Sequence, residues 1–185
     1  MRLTRLLAVP LCAILAAAIP TAPAMASAAG SVVSASALEV TCTPPSSNIV
    51  TYNPPLTASP QLVTVTTTYQ YNPCVSTTQP GLTSGTRTTV STQMRSCPDL
   101  LANGVFTLTI NWNTGQSSTA SGSYSAVNAG AAIVLTLTGT VTSGLFTGSN
   151  FLQINAAPSA EVLLCIAGLG TVSSLGSQVT LQITS

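Results

Sequence analysis

Val105-Phe-Thr-Leu-Thr-Ile-Asn-Trp112 alternates: Phe106, Leu108, Ile110 and Trp112 fall on one side of an extended chain, and Val105, Thr107, Thr109 and Asn111 on the other. Successive side chains of a β-strand point to opposite faces, so this pattern describes a strand with one face in a core and one in water. It holds the chain's only Trp, and Asn113-Thr114-Gly115 follows as a turn signal that sends the chain back through Gln116 to Val127. The centre of the fold is therefore predicted to be a β-hairpin.

Working outward, the same design recurs more weakly. Leu38 to Cys42 alternates and stops at Pro44-Pro45, Ile49 to Tyr52 is a short strand expected to end at Asn53-Pro54-Pro55, and Gln61 to Tyr71 runs to Asn72-Pro73. Val75 to Ser84 reads as loop around Gln79-Pro80-Gly81, and Gly85 to Met94 as a strand closed by Ser96-Cys97-Pro98. Beyond the hairpin, Ala131 to Thr142 has Ile133, Leu135, Leu137 and Val141 inward and Thr136, Thr138, Thr140 and Thr142 outward. Asn150 to Asn155 and Gln178 to Thr184 complete the set. Only Ser159 to Ala167 has helical character, with Ser159 as cap and Gly168 and Gly170 ending it. Short strands at this spacing with Gly and Pro turns predict an all-β fold. It is an antiparallel immunoglobulin-like sandwich or a barrel of about eight to nine strands, with one short helix near the C-terminus.

The amino terminus has a different character. Arg2 and Arg5 precede an apolar run from Leu6 to Ile19, followed by Pro20, Pro23 and Ala24-Met25-Ala26, the pattern of a secretory signal peptide spanning residues 1–26. The run is shorter than the roughly 20 residues that span a bilayer, and Pro10 and Pro20 interrupt it. Cys12 lies inside it behind Leu11, without the small residue that lipid attachment requires, and is expected to leave with the leader. A loose arm over residues 27–37 and a single domain over 38–185 follow.

Past Ala26 the chain keeps Arg87 and Arg95 against Glu39, Asp99 and Glu161, a formal charge of −1, with no Lys and no His. Neutralising several phosphates takes a cluster of basic residues, so a nucleic-acid partner is excluded, and anionic lipid surfaces are disfavoured for the same reason. Charged residues are only 4% of the chain while hydrophobic residues are 45%. Such a chain can bury enough to fold, with Thr and Ser hydroxyls carrying its solubility.

Four cysteines remain, Cys42, Cys74, Cys97 and Cys165, and an even number in an exported chain reads as two disulfides. With strands alternating in direction, Cys74 and Cys97 fall at opposite ends of a strand about 33 Å long, against a Cα separation below about 7 Å in a disulfide. Cys42 and Cys74 share one end and Cys97 and Cys165 the other, so those are the predicted pairs. A metal site is not expected, because no cysteines have short ligand spacing and there is no His.

Without His or Lys there is no Ser-His-Asp triad, His-assisted thiol, Schiff base or Ser-Lys dyad. Paired-carboxylate chemistry would have to come from Glu39, Asp99 and Glu161, each of which a polar strand, turn or helix-start position already explains. No cofactor is expected: Gly168-x-Gly170 lacks the strand and third glycine of a nucleotide site. The outward Thr136 to Thr142 row is a flat Thr array of the kind that orders water on ice-binding surfaces. Other strands do not repeat its register, so it is read as a solvated face. Ligand-binding candidates are the aromatic groups Tyr69, Tyr71, Trp112 and Tyr124, with Tyr52 beside them. The alternation puts Trp112 with the core, and the Asn72-Pro73 turn makes Tyr69 and Tyr71 the expected exposed pair.

Several stretches carry a resemblance: Tyr52-Asn-Pro-Pro-Leu-Thr57, Pro73-Cys-Val-Ser76, Trp112-Asn-Thr-Gly-Gln-Ser117, Gly139-Thr-Val-Thr-Ser-Gly-Leu-Phe146 and Leu163-Leu-Cys165. On these the chain resembles a group of uncharacterised small secreted actinobacterial β-rich proteins, which implies an exported disulfide-bonded β-protein and transfers no catalytic residues. In size and Thr, Ser, Ala and Gly content it is also similar to the immunoglobulin-like apoproteins that carry enediyne chromophores. The expected function is a secreted, non-catalytic extracellular module that binds or associates with a surface. The alternative is a soluble small-molecule carrier or an inhibitor of secreted enzymes, and an enzyme ranks third. The corresponding partners are a cell-wall or other extracellular polymer, a small apolar ligand held near Trp112 or Tyr124, or a secreted enzyme met by the Val75 to Ser84 loop.

Overall fold

A computed structural model describes residues 37–185. The expected signal peptide, Cys12 and all of the expected arm but Ala37 lie outside the described residues. Ala37 itself accepts a hydrogen bond from the Ser185 amide at 3.0 Å.

Ten strands and one helix follow in chain order: β1 Leu38–Cys42, β2 Ser47–Leu56, β3 Gln61–Tyr71, β4 Cys74–Ser76, β5 Gly85–Arg95, β6 Gly104–Trp112, β7 Ser117–Ala129, β8 Ala132–Gly144, β9 Asn150–Pro158, α1 Ala160–Ile166 and β10 Val172–Thr184. A 3-10 turn, Cys97–Leu101, connects β5 to β6. Antiparallel pairing runs β2-β3-β5-β6-β7-β8-β9-β10, and β10 pairs back onto β2, so eight strands close into a barrel. The two remaining strands, β1 and β4, lie against one another, with β1 also paired to β10.

The predicted hairpin is β6–β7, in register from Gly104↔Tyr124 to Asn111↔Ser117. Its turn uses Gly115 at φ 82°, a left-handed conformation that suits glycine, with the Gly115 amide on the Trp112 carbonyl at 3.0 Å. Leu108, Ile110 and Trp112 are buried as the alternation requires, and Trp112 Nε1 donates to Ser118 Oγ at 2.8 Å.

Some boundaries differ from expectation. β2 continues through Asn53-Pro54-Pro55 to Leu56, which pairs with Val172. Pro lacks an amide hydrogen, and the β3 partners of β2 indeed stop at Asn53↔Thr64. The predicted loop after Cys74 begins with the short strand β4, and β9 and β10 both exceed their predicted lengths. Ser159 precedes α1 without capping it: its hydroxyl donates to the Gly130 carbonyl at 2.8 Å.

The disulfides are Cys42–Cys74 and Cys97–Cys165, the pairing that strand order predicts. They mark two hydrophobic clusters. One gathers Cys42, Cys74, Tyr71, Ile110, Trp112, Val141, Phe151 and Leu181. The other gathers Tyr52, Leu56, Val63, Cys97, Cys165, Ile133, Val162 and Val172 beneath α1. Two disulfides fit an extracellular protein. Among the described residues no helix is long and apolar enough to cross a membrane.

Candidate functional site

The barrel seam between β5 and β6 is almost unpaired. Only Gly85↔Trp112 and Thr86↔Asn111 join these strands, whereas β3 pairs with β5 along its whole length, from Gln61↔Arg95 to Tyr71↔Gly85. At the paired end β5 lies against the Trp112 ring, and a Cβ on Gly85 would sit 2.7 Å from Trp112 Cε3. At the other end the connection is held away from β6. The Cys97 amide donates to the Thr57 carbonyl at 2.8 Å, and the Cys97–Cys165 disulfide ties the 3-10 turn to α1.

A cavity of about 330 Å³ opens in this seam. Register with β3 turns Arg87, Thr89, Ser91, Gln93 and Arg95 into it and leaves Val90 and Met94 outside, 66% and 60% exposed. This is the reverse of an ordinary amphipathic strand, whose more apolar face is buried. The same cavity is lined by Phe106, Leu108, Leu135 and Leu137, with Tyr52, Tyr69 and Tyr124 also on the wall. Thr89 and Ser91 are exposed, so the cavity is open to solvent on the β5 side.

The guanidinium groups differ in their surroundings. Arg87 lies over the Tyr69 ring, 5.2 Å from its centroid, and its Nε is buried without a hydrogen-bond partner. Arg95 has a neutral neighbour: with its carbonyl turned that way, the Gln93 amide accepts from Arg95 Nε and Nη2 at 3.2 Å. Asp99 is the one carboxylate on the cavity wall, and its Oδ2 accepts from the Ser96 amide at 2.7 Å and hydroxyl at 2.8 Å. That is the capping box of the 3-10 turn, which engages the carboxylate within its own loop. Of the other carboxylates, Glu39 accepts from Ser149 Oγ and Glu161 stands exposed in the first turn of α1. No two carboxylates share the cavity.

Behind Arg87 runs a buried chain of hydrogen bonds, each 2.9 Å long. Tyr71 OH donates to Gln153 Oε1, Gln153 Nε2 to Asn155 Oδ1, and Asn155 Nδ2 to the Tyr69 hydroxyl oxygen. Burial raises the Tyr69 pKa, and the Arg87 charge opposes it only in part. Tyr71 is pushed well above its ordinary value by burial, with Tyr69 adding to the effect. Burial also carries Tyr52 up to about 12, against the pull of Arg95. All three phenols are therefore neutral at physiological pH.

Tyr69 and Tyr71, expected as an exposed pair, are instead buried, at 4% and 0% exposure, stacked on each other with centroids 5.6 Å apart. The Asn72-Pro73 turn does stop the strand, but the phase of β3 sends both rings into the barrel. Tyr69 still reaches the cavity wall, whereas Tyr71 and Trp112 belong to the packed cluster. Half-buried Tyr124 lines the cavity. Sequence reasoning did not single out Arg87, Arg95, Gln153 or Asn155 as site residues. For the last two a signal existed, since the two-residue phase from Phe151 puts both inward.

The Val75 to Ser84 segment is pinned to the barrel. Leu82 is buried, and Asn113 Oδ1 accepts from the Thr83 and Ser84 amides at 3.0 and 3.1 Å while Nδ2 donates to the Gly81 carbonyl at 2.9 Å. Among the described residues no His, Cys, Asp or Glu cluster could hold a metal ion. No family model matches this chain, and neither a curated protein nor a solved structure shows significant similarity to it.

Proposed function

We propose that the protein is an exported, non-catalytic binding module of the carrier kind, which holds a small molecule in the β5–β6 cavity. The inverted face of β5 carries this reading. A strand that exposes Val90 and Met94 and turns Arg87, Thr89, Ser91, Gln93 and Arg95 toward the cavity presents polar groups where a barrel strand ordinarily presents apolar ones. Such violations concentrate where a surface is kept for a ligand, and polar groups opposite an apolar wall are the usual composition of a ligand site. The separation of Asp99 from the other two carboxylates, and the absence of His and Lys from the sequence, favour binding without turnover.

Export with cleavage after Ala26 is supported by the leader pattern and by two disulfides, and N-terminal sequencing of the secreted protein should begin at Ser27. We group the chain with the small secreted actinobacterial proteins it resembles. The immunoglobulin-like sandwich and the barrel differ in how the β5–β6 seam is regarded, and we adopt the barrel because pairing there, though short, completes the ring.

Native mass spectrometry of protein taken from its own culture fluid tests the carrier reading. A reproducible small added mass, lost on denaturation, is the expected result. A bare monomer that sediments with cell walls would replace it with the surface-associated module. The pinned Val75 to Ser84 segment favours a second reading, an inhibitor of secreted enzymes. Its exposed Thr77, Thr78, Pro80 and Gly81 stand on a frame fixed by Leu82 and Asn113. A cleavage-resistant complex with a secreted protease would establish that role, and rapid digestion within the segment would exclude it.

A further inference from the structure

We propose that the ligand of the β5–β6 cavity is a small amphipathic oxyanion, a carboxylate or phosphate monoester on an apolar body, with its charged end held by Arg87 and Tyr69. This rests on the ligand-binding reading above and adds the chemistry of the ligand.

Arg87 supplies the first argument. A guanidinium is always charged and presents donors in a rigid fork, and a buried donor without an acceptor has lost its water for nothing. Its Nε is in that state, and the one carboxylate on the cavity wall, Asp99, is engaged with Ser96. An oxyanion arriving through the open side of the cavity would pair with the half-buried Arg87 guanidinium through charge-assisted bonds.

Tyr69 supplies the second. The chain from Tyr71 through Gln153 and Asn155 passes hydrogens in one direction, and its last step makes the Tyr69 oxygen an acceptor. The Tyr69 O–H is thereby left to donate beside Arg87, and burial keeps it protonated. Both groups thus ask for an acceptor. A cationic ligand would meet the Arg87 guanidinium at this point of the wall.

The apolar part of the lining sets the rest of the molecule. Phe106, Leu108, Leu135 and Leu137 offer hydrocarbon with no polar side-chain atom, so a polyhydroxylated ligand would lose water there without return. A volume of about 330 Å³ lies near the lower end of ligand cavities and admits an aryl or medium-length alkyl body.

The test is calorimetric titration of the mature, disulfide-intact protein with decanoate, decyl phosphate, decanol and decyltrimethylammonium. The expected result is binding of decanoate or decyl phosphate, with the stronger of the two naming the anion. Decanol should bind about 10- to 100-fold more weakly, the value of one or two charge-assisted hydrogen bonds, and the cation should not bind. Arg87→Gln should bring the anion down to the affinity of decanol and leave decanol unchanged. Arg87→Lys, which keeps the charge and loses the fork, should fall between. Near-ultraviolet circular dichroism of Trp112, at the packed end, checks that both variants are folded. Equal binding of decanol and the anions, unaffected by Arg87→Gln, would overturn the oxyanion assignment and leave the cavity as a ligand site. Failure of every probe to bind would overturn the cavity reading as well.

Discussion

The two ends of the barrel are built from the same strands and differ in what fills them. At the Cys42–Cys74 end, Trp112 packs edge-on to Phe146 at 6.3 Å and tilted to Tyr71 at 6.5 Å, and Gly85 lets β5 lie against the Trp112 ring. Every strand there has a paired neighbour, and the polar groups that enter, Gln153 and Ser118, are hydrogen-bonded. Toward the Cys97–Cys165 end, β5 leaves β6 after Thr86, hydroxyls and guanidiniums line the β5 side of a cavity, and Arg87 Nε has no partner. The lesson is that a barrel can close-pack one end and keep an open, polar-lined cavity beside it.

This contrast can be broken from either side. Trp112→Ala should cost about 3–5 kcal/mol in urea denaturation, because it empties the centre of the larger cluster and strips Ser118 of a donor. A cost below about 1 kcal/mol would show that this end is not close-packed. Cys97→Ser with Cys165→Ser should cost about 2–4 kcal/mol by releasing a constraint between residues 68 apart in sequence. Hydrogen exchange should then rise in the 3-10 turn and α1 while the β6–β7 hairpin stays protected. Uniform loss of protection would mean that the two ends unfold as one unit.

Alkaline titration sharpens the comparison through the buried phenols. Tyr52 is carried from 10.0 to about 12 by burial, and Tyr69 and Tyr71 move in the same direction. The unfolded chain gives up these protons first, so stability is intact below pH 10 and falls as pH rises from there through about 12. Tyr52→Phe should remove about 2–3 kcal/mol of that fall, measured as denaturation midpoints against pH. An unchanged alkaline slope in the variant would refute the burial assigned to Tyr52. The smallest effect belongs to Arg87→Gln, which should change stability by no more than about 0.5 kcal/mol or raise it, since it removes an unsatisfied donor. A loss above about 1 kcal/mol would make Arg87 a structural residue and weaken its assignment to a ligand.

Wherever one face of a strand is apolar, the fold was readable from the chain. Phe106 to Trp112, Ile133 to Val141 and Val179 to Ile183 announce their inward faces because alternation is a local property of neighbouring residues. The disulfide pairs followed from strand direction alone. Tyr69 and Tyr71 were misplaced because a turn signal says where a strand stops and not how deeply its last residues are buried. The site was harder to see for a related reason: in β5, Val90 and Met94 make the outer face the more apolar one, so the strand's own pattern points the wrong way.

The sequence by itself determined an all-β chain with a central hairpin, two disulfides at opposite ends and neither His nor Lys. Only the tertiary structure decided that β10 returns to β2 to close the ring, and that β5 turns its arginines inward. Ring closure joins residues far apart in the chain, and the face of β5 is set by its register against β3. Neither quantity exists in a strand until its partner is in place.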